Sequence, residues 1–374
     1  MIFLLALLSV ALGVNAFSPI HIGRNCRTPL HATTSNNNKL SDLPNGISPF
    51  EKSLSKTIDI QADFRSRAKA AAETAISNGV KLLEIEFPPL IGGQKSKSQF
   101  DDFDNIQELD SNKDWTMQFA ALLSSTQVNS DFNGKKLWIV FPDLKECELA
   151  RKEWQGKLYQ KFTFTTIEAA TNAASSSKQG SGYDAPWGAA FVSTMSKWMG
   201  GSKGDAGLLG DQDSLDPLIA GDNFPPSLAL IIQPGNGGPV EDWCNCETIY
   251  DGLTNNGGDA TSPTMVIVNG ALDKLRGGYY PPFVFPKLAA SVNRFFTKFE
   301  TAFYLKPISD KGVYGWLYRV YPEPWQLVLQ RYPTNSKKQQ SSVIENIRVH
   351  VSHKRPTYAE AVAMLVQAAS SSSN

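Results

Sequence analysis

The chain has 374 residues, 41% of them hydrophobic, with 36 Lys+Arg against 36 Asp+Glu. That length allows one large or two small domains with a real core, and the balanced charge gives no electrostatic footprint for nucleic acid. Only four histidines are present, His21, His31, His350 and His353, so a His-based metal site or a Ser-His-Asp triad has little to be built from.

Ile2 to Val14 is an almost unbroken apolar run. It has the length of a signal-peptide core and is too short to cross a bilayer. Val14-Asn15-Ala16 supplies small residues for cleavage, and Phe17-Ser18-Pro19 follows. The next stretch holds Arg24, Arg27 and Lys39 and has no acidic residue before Asp42, which is the composition of a transit peptide. Residues 1–16 are therefore expected to be a signal peptide and 17–41 a transit-like segment. Together they resemble the two-part plastid presequence of diatoms and related algae. A plain secretory signal is the alternative, since no Lys or Arg precedes the apolar run. Without Cys26 three cysteines remain, Cys147, Cys244 and Cys246, which is no disulfide framework. Cys244 and Cys246 suit neither an ordinary disulfide nor a usual zinc pair and read as small buried or half-buried residues. No Asn-x-Ser/Thr sequon occurs. The expected place is the plastid stroma, with secretion as the alternative and no transmembrane segment after the presequence.

The elements then follow in order. Ala62 to Asn78 is Ala-rich with helical spacing, and Gly79 is a stop signal. Val80 to Phe87 is a strand that Pro88-Pro89 ends. Asp114 to Ser124 is a helix with Trp115, Phe119 and Leu122 on one stripe. Leu137 to Phe141 is a strand of the kind buried on both faces. Pro142-Asp143 opens a helix to about Lys157, and Phe162 to Thr165 is a third strand. Leu228 to Ile232 and Met265 to Val268 are two more buried strands. Phe303–Lys306, Trp316–Val320 and Gln326–Arg331 are close-spaced strands joined by turns such as Asp310–Gly312. Strands alternating with helices predict an α/β fold: a mostly parallel layered sheet, helices on both faces, and an antiparallel C-terminal edge or meander. One domain is expected over 62–335. A polar tail over 336–374 would carry a short helix near Thr357–Gln367.

Residues 171–226, rich in Ser, Gly and Asp, form a flexible insert in this reading. Within it Trp187, Phe191, Met195 and Trp198 fall on one face of a short helix. Two alternatives stand for that stripe: a lid packed on its own domain, or a docking surface for a partner. The cluster containing Trp316, Arg319 and Trp325 is open in the same way, between interface anchors and cross-strand pairs.

In a parallel α/β sheet ligands sit beyond the carboxyl ends of the strands. Polar residues recur there: Glu84 and Glu86, which share a face of the first strand, then Asp143, Asn236, Asn269, Asp273 and Arg276. These seven form a candidate ligand cleft, with carboxylates available for acid/base work. Asp143 and Asn269 also suit helix caps. Pro234 to Pro239 could cradle a phosphate but lacks the residues of a P-loop, so a turn is the simpler account. No catalytic residue, metal or cofactor is assigned.

The segments KLLEIEFPPL (81–90), LWIVFPDLKECELARKEW (137–154), MVIVNGALDKLRGG (265–278) and FYLKPISDKGVYGWLYRVYPEPWQLVLQR (303–331) occur in this order. Together they resemble the plant and algal plastid family called domain of unknown function 1995. The resemblance implies a stromal factor that helps photosystem II assembly, without established enzyme chemistry. Its partners would be photosystem II subunits or assembly intermediates, with peripheral association at the thylakoid. Against this stands a second expectation, an enzyme or sensor binding a nucleotide or phosphosugar at the strand ends.

Overall fold

The computed structural model describes residues 40–44, 47, 58–88, 101–124, 137–176, 226–235, 240–256, 263–331 and 344–371. Ser41–Asn374 forms one compact unit. Its strands are β1 (Leu82–Glu86), β2 (Leu137–Phe141), β3 (Phe162–Thr166), β4 (Leu228–Ile232), β5 (Thr264–Val268), β6 (Glu300–Asp310), β7 (Val313–Val320), β8 (Trp325–Arg331) and β9 (Glu345–Ser352). They form one nine-stranded sheet in the order β3-β2-β4-β5-β1-β6-β7-β8-β9. Every pair from β3 through β6 is parallel, and β6 through β9 pair antiparallel. The fold is the expected α/β arrangement.

The central strands are apolar throughout because both of their faces are covered. All five residues of β2, of β4 and of β5 are buried. One face carries α1 (Ile58–Ser77), α2 (Asp101–Ser124) and α3 (Leu144–Glu153). Phe64, Ala68 and Ala72 of α1 lie there with Trp115, Phe119 and Leu123 of α2 and Cys147 of α3. The opposite face carries α4 (Ile167–Ser176), α5 (Glu241–Asn256), α6 (Leu272–Arg276) and α7 (Pro286–Arg294). Farther along that face α8 (Tyr358–Ser371) covers the antiparallel strands with Ala361, Val362 and Leu365. That face therefore holds two separate apolar clusters.

Several expectations shift. The buried stripe of α2 runs through Leu123, while Leu122 is 40% exposed; a step from Phe119 to Leu123 keeps the helical spacing toward the sheet. α3 ends at Glu153, and a single 3-10 turn occupies Lys157–Tyr159. The segment after 335 is more than a tail: β9 pairs with β8 and α8 supplies core. Of the insert expected over 171–226, residues 171–176 belong to α4, and residues 177–225 lie outside the described residues. Trp187, Phe191, Met195 and Trp198 lie outside the described residues. Cys147, Cys244 and Cys246 form no disulfide, and Cys147 and Cys246 are buried. No helix among the described residues is long and apolar enough to cross a membrane.

Helices α4 and α5 approach closely at Gly252, where an added Cβ would stand 2.4 Å from the Ala174 Cβ. Gly252→Val is expected to lower stability by about 1–3 kcal/mol through overpacking. Chemical denaturation of the two proteins side by side measures it, and equal midpoints would mean the helices part at no cost.

Candidate functional site

β1 reads LLEIE. Alternation along a strand sends Leu83 and Ile85 into one core and leaves Glu84 and Glu86 on the opposite face. That face is the one with two clusters, and the acids enter the seam between α6 and α8. Glu84 is only 1% exposed. A carboxylate so deep must be met by cations and hydrogen bonds.

Glu84 Oε2 accepts from Arg276 Nη1 at 2.6 Å and from Thr301 Oγ1 at 2.8 Å. Arg276 sits in the last turn of α6, and its Nη2 also donates to the carbonyls of Phe296 and Phe299 at 3.2 and 3.3 Å. The other carboxylate oxygen, Oε1, has no hydrogen-bond partner and faces Arg355 Nη1 at 4.0 Å; that nitrogen has no hydrogen-bond partner either. Arg355 stands between β9 and α8. Its guanidinium lies 4.2 Å from the Tyr304 ring centroid and 4.8 Å from that of Trp325, a cation–π arrangement. Trp325 has Arg319 on it as well, at 5.3 Å.

Arg355 Nη2 pairs with Asp273 Oδ1. Asp273 Oδ2 accepts from the Tyr304 hydroxyl and from Lys306 Nζ, the latter at 3.0 Å. Burial opposes the charge on Asp273, but Arg355, Lys306 and the Tyr304 hydroxyl outweigh it and hold the carboxyl below its ordinary value. Burial drives the Tyr304 phenol well above its ordinary value, with Asp273 adding to the effect. Glu86 behaves differently. Burial first, then the charges of Glu84 and Asp273, push its carboxyl up to about 8, although Lys306 and the Ala271 N–H work the other way. The Ala271 N–H reaches Glu86 Oε2 at 3.3 Å.

The seam thus gathers three cations, Arg276, Arg355 and Lys306, and three carboxyls, Glu84, Glu86 and Asp273. Near neutral pH Glu86 is mostly protonated, so three positive charges meet two negative ones. Such a site can receive one anionic oxygen, or hold and release one proton at Glu86.

Of the seven expected cleft residues, four converge here: Glu84, Glu86, Asp273 and Arg276. Asp143 lies at the end of β2 and caps α3, its Oδ1 accepting from the Glu146 N–H at 2.9 Å. Asn269 serves as a buried tie: its Oδ1 accepts from the Phe87 N–H at 2.8 Å and its Nδ2 donates to Asn112 Oδ1 at 2.9 Å. Asn236 lies outside the described residues. Trp316 is fully buried on the far face and donates to Gln330 Oε1 at 2.8 Å. Trp325 is 3% exposed and borders the seam with Arg319, whose Nη2 donates to Glu300 Oε1 at 2.5 Å. Neither Trp offers its ring to an outside surface. Among the described residues no group of His, Cys, Asp and Glu is placed to hold a metal ion.

Tyr304, Lys306 and Arg355 went unassigned in the sequence. For the first two the signal was there: Tyr304 and Lys306 are two apart on β6, and Glu86 pairs with Tyr304 in register. It needed the knowledge that β1 and β6 are neighbours. Arg355 has no such signal, since it lies in a short link with no periodicity.

The family model "Domain of unknown function (DUF1995)" matches residues 60–363. No curated protein matches the chain, and no solved structure does.

The raised carboxyl of Glu86 links the seam to pH. Its folded value of about 8 exceeds its ordinary 4.5, so between the two the folded state keeps a proton that the unfolded chain has released. Stability from this group is full below about pH 4.5, falls as the pH rises, and is lost above about 8. Glu86→Gln is expected to flatten thermal stability between about pH 5 and 8 and to melt higher than wild type at alkaline pH. Parallel melting curves for the two proteins over this range would refute the assignment.

Proposed function

The chain belongs to the DUF1995 family, and we propose that it is a non-catalytic factor of the plastid stroma assisting assembly or maintenance of photosystem II or a related thylakoid complex. The observation that carries this reading is the family match across residues 60–363, which spans every described strand of the sheet. On this reading the chain is a counterpart of the plant Low PSII Accumulation 3 protein. The apolar run at Ile2–Val14 and the acid-free segment up to Lys39 support delivery to a plastid. Affinity capture of the protein from solubilised plastids, read by mass spectrometry, tests it. Photosystem II core or assembly subunits are the expected partners, and recovery of the bait alone would sink the reading.

A second reading is favoured by one observation, the 4.0 Å gap between Glu84 Oε1 and Arg355 Nη1. In it the seam binds a nucleotide or phosphosugar, whose anionic oxygen meets Arg355 while its hydroxyls meet Glu84 or Glu86. A ligand at a hundred times its Kd adds about 2.7 kcal/mol to stability, an upward melting shift that Arg355→Gln should abolish. A flat response of wild type to pools of both compound classes would leave the seam as a structural ion-pair network.

A further inference from the structure

The first residues of the compact unit are held by side chains far along the chain. The Ser41 N–H donates to Glu323 Oε2 at 2.9 Å, and its hydroxyl donates to Glu323 Oε1 at 2.6 Å. The Ser41 carbonyl accepts from Gln326 Nε2 at 3.2 Å and from Arg348 Nη2 at 3.4 Å. Arg67 Nη1 donates to the Asp42 carbonyl, and Arg348 Nη2 reaches Asp42 Oδ1 at 3.2 Å. Leu43 and Ile47 then join the apolar cluster that contains Phe64 and Trp316. Glu323 is itself fixed between β7 and β8. Its N–H donates to the Val320 carbonyl at 2.8 Å, and its carbonyl accepts from Arg319 Nε at 3.2 Å.

The Glu323 carboxylate meets neutral donors. Besides Ser41 it accepts from Gln326 Nε2, at 3.1 Å. The three arginines that touch this cluster pair with other acids: Arg67 with Asp63, Arg319 with Glu300 and Arg348 with Asp42. Among the described residues no cation pairs with Glu323. Gln326 is 1% exposed, and its Oε1 is buried without a hydrogen-bond partner. A carboxylate and a spare amide oxygen beside one main-chain nitrogen suit an ammonium, which brings three N–H donors and a charge where an amide brings one donor. A main-chain nitrogen becomes an ammonium only when the bond before it is cut. The sequence changes character at this bond: Arg24, Arg27 and Lys39 precede it with no acid, and Asp42 follows.

We propose that Ser41 is the first residue of the mature protein: a peptidase hydrolyses the Leu40–Ser41 bond, and the folded chain captures the new ammonium on Glu323. In that step the C–N bond breaks and the water oxygen joins the Leu40 carbonyl carbon. Both water protons end on the Ser41 nitrogen, leaving a carboxylate and an ammonium. Cleavage comes before docking, because Ser41 is held and Leu43 and Pro44 are buried once the fold has formed. The inference rests on the reading of residues 17–41 as a cleaved presequence and sets the cut one residue earlier.

Two measurements test it. Mass spectrometry of the N-terminal peptide of the native protein, which needs no variant, is expected to find a free amine on Ser41. A mature chain that starts at any other residue overturns the proposal. Chains starting at Ser41, the first residue of the compact unit, and at Leu40 are then released from a cleavable fusion and melted, each with and without Glu323→Gln. The Ser41 chain is expected to melt about 1–2 °C above the Leu40 chain at low salt, and Glu323→Gln is expected to remove that difference. Equal melting of the two chains, or a difference that survives Glu323→Gln, overturns the capture. A native chain that keeps residues 17–40 inside the plastid refutes the cut and leaves plastid delivery standing. A Ser41 terminus on a protein that captures no photosystem subunit supports the cut and counts against the assembly reading alone.

Discussion

Glu84 is a carboxylate on a strand sealed between two neighbours and two layers, and the sheet closes around it only if positive charge is delivered there. Taking such a group out of water costs several kcal/mol before any compensation. Arg276 and Arg355 come from opposite sides of the seam, one at the end of α6 and the other after β9. The two apolar clusters of that face are thereby joined by charge rather than by packing. Arg355 also fixes the last elements of the chain, since it is held by Asp273 from α6 and by the rings of Tyr304 and Trp325. The C-terminal strand and helix are thus tied to the parallel half as well as to their antiparallel neighbours.

The parallel half was readable because double burial writes itself into sequence. LWIVF, LALII and TMVIV have no polar face to confuse their period. The acids of β1 were readable as a pair on one face, and the strand-end rule drew Asp273 and Arg276 toward them. β9 was hidden for the converse reason. ENIRVHVS lies at the sheet edge with mixed exposure, so it carries charge where an inner strand carries Val or Ile. α5 has Cys, Asn and Asp on its length and a buried stripe broken by polar positions. Arg355 could not be found by any local pattern, because its role arises from long-range contacts with Glu84, Asp273 and Tyr304.

Within the candidate cleft, helix and loop chemistry explained some residues fully. Asp143 has its amide partner at the start of α3, and Asn269 has both ends of its amide engaged. Their position beyond strand ends is the same as that of Glu86, but their hydrogen bonds close locally. What distinguishes Glu86 is that two acids stand near it, Glu84 on its own strand and Asp273 on α6, and the protein answers with a retained proton rather than a third ion-paired carboxylate.

The placement of β1 has a consequence for how the chain is made. Among the described residues β1 is the first strand in chain order, and it lies between β5 and β6, with Leu82 paired to Met265 and Leu83 to Glu300. At about 5–20 residues per second, its nearest partner leaves the ribosome roughly ten to forty seconds later. For that interval Leu82–Glu86, with Leu83 and Ile85 on one face and two acids on the other, lacks both of the strands that flank it in the fold. It must be sheltered by its own helices or by a chaperone until β5 arrives.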